Sequence, residues 1–340
     1  MCQSSTLKSK EYKMSDINIK RNTIRIYGCG GAGVFNTTPF ARNSLNNESN
    51  FAIFDPAYID TSDSDMSLTI PDDKKYLFAD TDGSGKKRRM NAPQISSYCP
   101  DILHQFKPSN TLNIVVHSAG GGSGSVIGPV IVEQLLKMKK KVVVIMIGSS
   151  SSAVDTENTI NTISSYDNYS RDIGRPAVMH YLENSSKTNM ATVDSHVQGM
   201  IVMLSLLFSG NNRKLDSADL ENLLNYPAVS SFPSQLAYCG LTDGSMNNPS
   251  VNGAKLVSMA TLLTEGENMD TEMNVNYHVH GYMSPSTKAT VTTKTPIHFG
   301  IYLGYFTKIV ANLKSKLAEM EAQDRLFKDT PIGTGGGLVL

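Results

Sequence analysis

One stretch constrains this chain more than any other: His117-Ser118-Ala119-Gly120-Gly121-Gly122-Ser123-Gly124-Ser125, set between apolar runs at 112–116 and 130–136. Strand, glycine turn and helix are the economical reading. Gly120, Gly121, Gly122 and Gly124 remove most Cβ atoms from the turn, so its backbone can approach a ligand closely. The N–H groups at the start of the following helix then have no intrahelical partner, and such an end attracts anions, phosphate above all. Ser123 and Ser125 add hydroxyl donors.

A second glycine run comes earlier. Residues 23–27 alternate as a strand and lead directly into Gly28-Cys29-Gly30-Gly31-Ala32-Gly33, which satisfies GxGxxG. Residues 51–54 read as a second strand ending in Asp55, about twenty residues downstream, where a Rossmann fold carries its ribose-binding acid. Taken alone, this segment describes an NAD-dependent oxidoreductase with a Rossmann domain. The second glycine turn argues otherwise, because two such turns suit a di- or triphosphate cradled from two sides. The scattered histidines and cysteines supply no convincing constellation for hydride transfer. A Walker A loop is excluded, since Gly85-Lys86 is followed by Lys87 and no GxxxxGK[ST] occurs.

Strand-like and helix-like segments alternate through the first 182 residues, and the unbroken apolar run at 142–147 reads as a central parallel strand covered on both faces. Residues 95–106 and 157–169 read as helices, and 177–182 as a strand. One long apolar helix is expected over 190–209. From 235 the pattern changes to strand-like pieces at 236–241, 254–261, 275–283, 289–293 and 296–303. A helix over 305–325 follows, with Ile309, Leu313, Leu317 and Met320 on one stripe. Its stripe could pack on its own domain or dock a neighbouring subunit.

Lys+Arg 31 against Asp+Glu 31 leaves no net field, so no nucleic-acid surface is signalled. The longest apolar run, 200–208, is too short for a bilayer, and the first twenty residues lack the apolar segment of a secretory signal. Cys2, Cys29, Cys99 and Cys239 have no disulfide-like or metal-like spacing. A cytoplasmic protein with no membrane partner and no side-chain metal cage is expected.

The motif HSAGGGSGS closely resembles the GGGTGSG loop of the tubulin/FtsZ superfamily, with Ser123 for its Thr and Val126 for its last Gly. The chain length is similar to the compact phage and plasmid branch, the phage tubulin-like proteins. The segment Asn212-Arg213-Lys214-Leu215-Asp216-Ser217-Ala218-Asp219 resembles a second motif of FtsZ, NVDFADV, with Lys214 where FtsZ has Asn. The resemblance covers about residues 23–325.

It implies an α/β, tubulin/FtsZ-like fold: a disordered leader at 1–20, a doubly wound parallel-sheet GTPase domain at 21–187 and a long core helix at 188–209. A catalytic loop and helix at 210–234, a smaller α/β C-terminal activation-type domain at 235–303, and a C-terminal helix and tail at 304–340 complete it. It implies GTP/GDP with Mg²⁺ as cofactors. Gly28, Cys29, Gly30, Gly31 and Gly33, with Gly120, Gly121, Gly122, Ser123, Gly124 and Ser125, would hold the phosphates. Gly83 and Gly85 fall in the loop that senses the terminal phosphate. The neighbouring basic residues 86–89 could support that role or be a solvated cluster. Glu157 matches the ribose acid, and Asn184 and Asp194 the guanine-reading residues.

Asp216 and Asp219 read physically as a helix N-cap and its N3 partner. By resemblance they are also the catalytic acids, acting on the nucleotide of a neighbouring copy. The implied partner is the chain itself in a head-to-tail filament, with no direct nucleic-acid contact and an undefined cargo or adaptor. A role positioning phage DNA or capsids in the host cytoplasm follows from the resemblance alone. A homologue that polymerises without hydrolysis is a further reading.

Overall fold

The computed structural model describes residues 21–42, 50–66, 69–79, 81–185, 188–244, 251, 253–267, 274–284, 287–288, 291 and 293–328. The expected leader at 1–20 and the tail at 329–340 lie outside them, as does most of the strand-like piece at 289–293.

The first half alternates strand and helix: β1 (Thr23–Cys29), α1 (Gly30–Thr37), β2 (Ile53–Asp60), β3 (Lys75–Leu77), α2 (Arg88–Gln105), β4 (Leu112–Ser118), α3 (Gly124–Lys137), β5 (Val142–Ser149), α4 (Ala153–Ile173) and β6 (Val178–Asn184). The core helix α5 (Met190–Leu207) and the short α6 (Ser217–Leu224) precede β7 (Ala237–Asp243), β8 (Lys255–Thr264), β9 (Tyr277–Met283), β10 (Ile297–Leu303) and α7 (Tyr305–Lys328). The sheet order is β3-β2-β1-β4-β5-β6-β7-β10-β8-β9. Strands β3 through β7 run parallel. β10 lies antiparallel between β7 and β8, and β9 pairs parallel to β8. The C-terminal strands are therefore joined to the first sheet, through the short pairing of Val178 with Ala237 and Met179 with Tyr238.

The run at 142–147 shows why the sheet is doubly wound. Alternate side chains point to opposite faces. Val143, Ile145 and Ile147 enter a core with Val193, Val197 and Met200 of α5. Val142, Val144 and Met146 enter a second core with residues of α2, α3, α4 and α7, including Ile102, Ile131, Ile163 and Leu313. Apolar demand on both faces forces helices onto both.

Helix α5 is, by length and composition, apolar enough to cross a membrane, and half of it is buried inside the protein. The nine-residue apolar run read from the sequence is the C-terminal part of this helix, whose first ten residues, 190–199, precede it. Its apolar face is committed to the sheet: Val197 and Ile201 are fully buried. The α7 stripe packs on its own chain. Leu313 is buried, Ile309 and Leu317 pack against the same core, and the Thr156 hydroxyl meets Met320 Sδ at 3.9 Å.

Candidate functional site

Helices α1 and α3 both begin immediately beyond the C-terminal ends of adjacent parallel strands, β1 and β4. Neither has a side-chain N-cap: Cys29 and Ser123 occupy the cap positions without capping hydrogen bonds. Two helix starts with unsatisfied N–H groups thus face one open cavity of about 380 Å³. It is lined by Cys29, Gly30, Gly31, Gly121, Gly122, Ser123, Gly124 and Gly83, together with Asp60 and Asp65.

The two turns touch. Gly30 has φ +70°, and a Cβ there would lie 2.7 Å from Gly124 N, so only glycine lets α1 and α3 begin side by side. Gly28 and Gly33 have a different job. A Cβ on Gly28 would meet Thr37 Oγ1 at 2.2 Å, and one on Gly33 would meet Val116 O at 2.3 Å. They seat α1 against the sheet and do not line the cavity. Ser125 is also turned inward, its hydroxyl donating to Gly122 O at 3.0 Å.

The loop before α2 closes over the second turn. Ser84 Oγ lies 3.1 Å from Ser123 Oγ, and Thr61 Oγ1 also hydrogen-bonds Ser123 Oγ. Asn91 Nδ2 fixes this loop by donating to Gly83 O and Ser84 Oγ, both at 3.0 Å. Gly85, at φ +48°, shapes the turn but has no atoms within 4 Å of a would-be Cβ. The basic run divides. Arg88 and Arg89 belong to α2, which begins seven residues before the expected 95. Arg88 Nη2 donates to Ser125 O at 3.0 Å, while Lys86 Nζ meets Asp155 Oδ1 at 2.8 Å.

Two expectations about acids change. Strand β2 runs on to Asp60, past the Asp55 where the sequence reading ended it. Asp55 sits in the strand's first half, paired with Arg25 and Lys74 at 2.7 Å each, so it cannot serve a ribose at the strand end. Pro56 is tolerated inside the strand because β3 joins β2 only from Tyr58 onward, leaving the outer side of Pro56 without a ladder partner. The acid at the strand end is Asp60. Burial pushes its carboxyl up to about 6, against the hydrogen bond from Thr61 N and despite Ser123, with Asp65 adding to the rise. Glu157 is exposed on α4, which begins four residues before the expected 157. The acid of its first turn is Asp155, buried beside Gly120.

Farther along the strand ends, Asn184 closes β6, and its Oδ1 is buried without a partner among the described residues. Asp194 on α5 accepts from Asn36 Nδ2 at 2.8 Å, and the Oδ1 of Asn36 is likewise buried and unpaired. Asn184 thus ends the second strand beyond β4 in the sheet, and Asn36 joins the helix after the first glycine turn to the core helix. Sequence reasoning missed Asn36, whose only signal was its place on the helix that follows the first glycine run.

Asp216 and Asp219 form a reciprocal capping box. Asp216 Oδ1 accepts from Ala218 N at 2.8 Å and Asp219 N at 3.0 Å, while Asp216 N donates to Asp219 Oδ2 at 3.0 Å. Asp219 Oδ1 accepts from Tyr277 Oη at 3.1 Å. Asp216 lines another cavity, of about 370 Å³, together with Asn22, Thr111 and Lys141. These three residues immediately precede β1, β4 and β5. The acids thus lie at the starts of the strands whose ends carry the glycine turns, about 20 Å away for seven extended residues. Lys214, at φ +60°, occupies the left-handed region that Asn adopts more readily, and its ammonium rests 5.2 Å from the centre of the Tyr282 ring.

Paired glycine turns at the ends of adjacent parallel strands and a long core helix leading to the opposite pole characterise a tubulin/FtsZ-type fold. No protein-family model matches the chain. In sequence it is 30% identical over 202 residues to a phage tubulin-like protein of Pseudomonas phage PhiPA3, 59% of this chain and 61% of that one. It is 29% identical over 223 residues to that of Pseudomonas phage phiKZ, 62% and 65% respectively. The matched segments thus span less than two thirds of these relatives. In structure, the TubZ protofilament from bacteriophage PhiKZ superposes with TM-score 0.81 at 25% identity, over 93% of this chain and 96% of that one. The phage tubulin PhuZ with GDP superposes with TM-score 0.80 at 22% identity, over 92% and 95%. The chain has the tubulin/FtsZ-type fold and is similar in sequence to the phage tubulin-like proteins.

Proposed function

We propose that the chain is a polymerising, tubulin-like GTPase whose hydrolytic site is completed between two copies. The observation that carries this reading is polar separation: the glycine cavity and the Asp216 cavity lie at opposite ends of the same parallel strands. A site divided in that way can be assembled only head to tail, and a heterologous contact of this kind propagates as an open filament. The relatives point the same way, one being described as a protofilament and another as a filament.

At the first pole, backbone N–H groups at the starts of α1 and α3 hold the phosphates, helped by Ser123. Gly83 of the covering loop reaches the same cavity and faces the end of the phosphate chain. At the base, the free acceptors Asn184 Oδ1 and Asn36 Oδ1 and the Asp194 carboxylate suit a ring that offers N–H donors. Guanine offers them at its ring and exocyclic nitrogens, and the PhuZ structure carries GDP. Glu157 is too exposed to be favoured for the ribose, and Asp155 is the better-placed acid.

Asp60 and Asp65 line the anion cavity, and two carboxylates there fit only with a cation between them and the phosphates. Mg²⁺ characteristically takes one or two carboxylates and completes its shell with phosphate oxygens and water. When bound it would neutralise phosphate charge. Asp60 and Asp65 are the residues that would hold it.

At the second pole, Asp216 and Asp219 approach the terminal phosphate of the neighbouring copy. Three of their four carboxylate oxygens take the hydrogen bonds described above, and among the described residues none donates to Asp216 Oδ2. That oxygen is the one available to orient the attacking water. Catalysis is then mostly positioning, as for other phosphoryl transfers. The site of action is the host cytoplasm, with phage DNA or capsids as the cargo to be positioned.

Light scattering with GTP, GDP or no nucleotide tests the reading. Assembly with GTP alone, and persistent assembly with a non-hydrolysable analogue, are expected. Equal scattering under all three conditions contradicts it.

A further inference from the structure

Lys86 stands at a junction that the phosphate site alone does not explain. Its backbone lies on the second glycine turn: a Cβ on Gly122 would sit 3.1 Å from Lys86 N and 3.2 Å from its Cα. Its side chain is 57% exposed, yet the ammonium is not in open water but against Asp155, which is only 5% exposed. Both oxygens of that carboxylate are within reach, at 2.8 and 3.0 Å. Asp155 in turn lies on the first residue of the same turn, since a Cβ on Gly120 would approach Asp155 Cβ to 3.3 Å.

One turn farther along α4, Asn158 Nδ2 donates to Lys86 O at 2.9 Å and to Gly120 O at 3.0 Å. The loop backbone is therefore clamped to the phosphate turn independently of where the Lys86 ammonium goes. Asp155 also keeps a second donor, Ser151 Oγ at 2.7 Å, so its carboxylate is not stranded if the ammonium leaves. A clamped backbone, a long mobile stem and a carboxylate with a replacement partner are the parts of a cation that can change anions.

We propose that Lys86 selects triphosphate over diphosphate by moving its ammonium from Asp155 to the terminal phosphate, with Asp155 as the competing anion. This rests on the nucleoside-triphosphate reading above. A diphosphate leaves the ammonium on Asp155. A triphosphate adds a more highly charged acceptor beside Gly122, to which an ammonium bonds as a flexible point charge. The exchange also releases the first turn of α4 from the loop side chain while the Asn158 clamp holds.

The test is equilibrium binding of GDP and of a non-hydrolysable GTP analogue to the full chain below its assembly concentration. Wild type is compared with Lys86→Met, Lys86→Arg and Asp155→Asn. Lys86→Met should lose about tenfold of the triphosphate preference, the scale of one charge-assisted contact. Lys86→Arg should retain most of it, and Asp155→Asn should increase it by removing the competitor. GDP affinity should stay constant in Lys86→Met and Lys86→Arg, which reports an intact pocket, while Asp155→Asn is read only by the ratio of the two affinities, because that carboxylate is also the better-placed acid for the ribose. An unchanged preference in Lys86→Met, or a parallel loss of both nucleotides, overturns the proposal. Wild type that binds neither nucleotide removes the phosphate-site reading itself, and leaves Lys86 nothing to select.

Discussion

The Tyr277 hydroxyl donates to Asp219 Oδ1 at 3.1 Å, and Asn222 Nδ2 lies 3.4 Å from the same hydroxyl. A strand of the C-terminal half thereby fixes a carboxylate in the first turn of α6, beyond the core helix. The backbone makes the same connection, Arg213 and Tyr282 exchanging two N–H···O bonds of 2.9 Å. Tyr277→Phe should leave nucleotide binding and the assembly threshold unchanged and slow phosphate release about three- to tenfold, the effect of one hydrogen bond to a charged group. Sedimentation beside a phosphate-release assay separates the two; a raised assembly threshold at an unchanged turnover per assembled subunit would mean that Tyr277 only supports the interface.

Asp216→Ala should bind GTP as wild type does and assemble into filaments that persist, while hydrolysis falls by about a hundredfold or more, the usual range for loss of a proton-handling or water-orienting group. The same substitution removes a capping box at an exposed helix start, which costs about 1 kcal/mol. A melting curve therefore accompanies the assay. Loss of nucleotide binding in this variant would refute the separation of the two poles.

Gly128 is interior to α3, where glycine is otherwise a poor choice, and its reason is the ring of His117: a Cβ would lie 2.5 Å from His117 Cδ2. Gly128→Ala should destabilise the fold by about 1–3 kcal/mol through overpacking beneath the second glycine turn. Chemical denaturation of the nucleotide-free chain measures this, and an equally stable variant would show that the ring moves aside freely.

His117 also sets a pH dependence. The ring is fully buried, its Nδ1–H donating to Ser118 O at 3.1 Å and its Nε2 accepting from Tyr166 Oη at 2.7 Å. Burial lowers its pKa to about 4, the bond to Ser118 O opposing that and Arg88 adding to it. A depressed folded pKa gives stability that is complete above the unfolded value of about 6.5 and is lost as pH falls through about 4. The wild type should therefore weaken on acidification across that window, and His117→Gln should flatten the decline. His278, also lowered to about 4 by burial and by its histidine neighbours, leaves a residual slope. An identical pH profile in His117→Gln would contradict the assignment.

The sequence was most readable where backbone geometry restricts the choice of residue. The two glycine runs announced helix starts without caps, and the apolar run at 142–147 announced a strand buried on both faces. Asp216 and Asp219 announced an N-cap. The acids were harder. The Rossmann spacing of about twenty residues ended β2 at Asp55, so Asp55 drew the attention due to Asp60. Four extra residues at the start of α4 put Asp155, not Glu157, beside Gly120. Asn36, Asp65, Lys86 and Tyr277 acquire their places only through contacts between segments far apart in the chain, which no local pattern encodes. The same holds for Gly28 and Gly33, whose spacing suggested phosphate contact and whose neighbours show close helix packing.

The central claim is that a nucleotide held at one pole is cleaved by acids arriving from another copy. Phosphate release per molecule, measured against protein concentration at saturating GTP and Mg²⁺, tests it most directly. Turnover near zero at low concentration, rising steeply once copies associate, is the predicted result. A rate per molecule that stays constant down to concentrations at which the chain is monomeric would contradict the account.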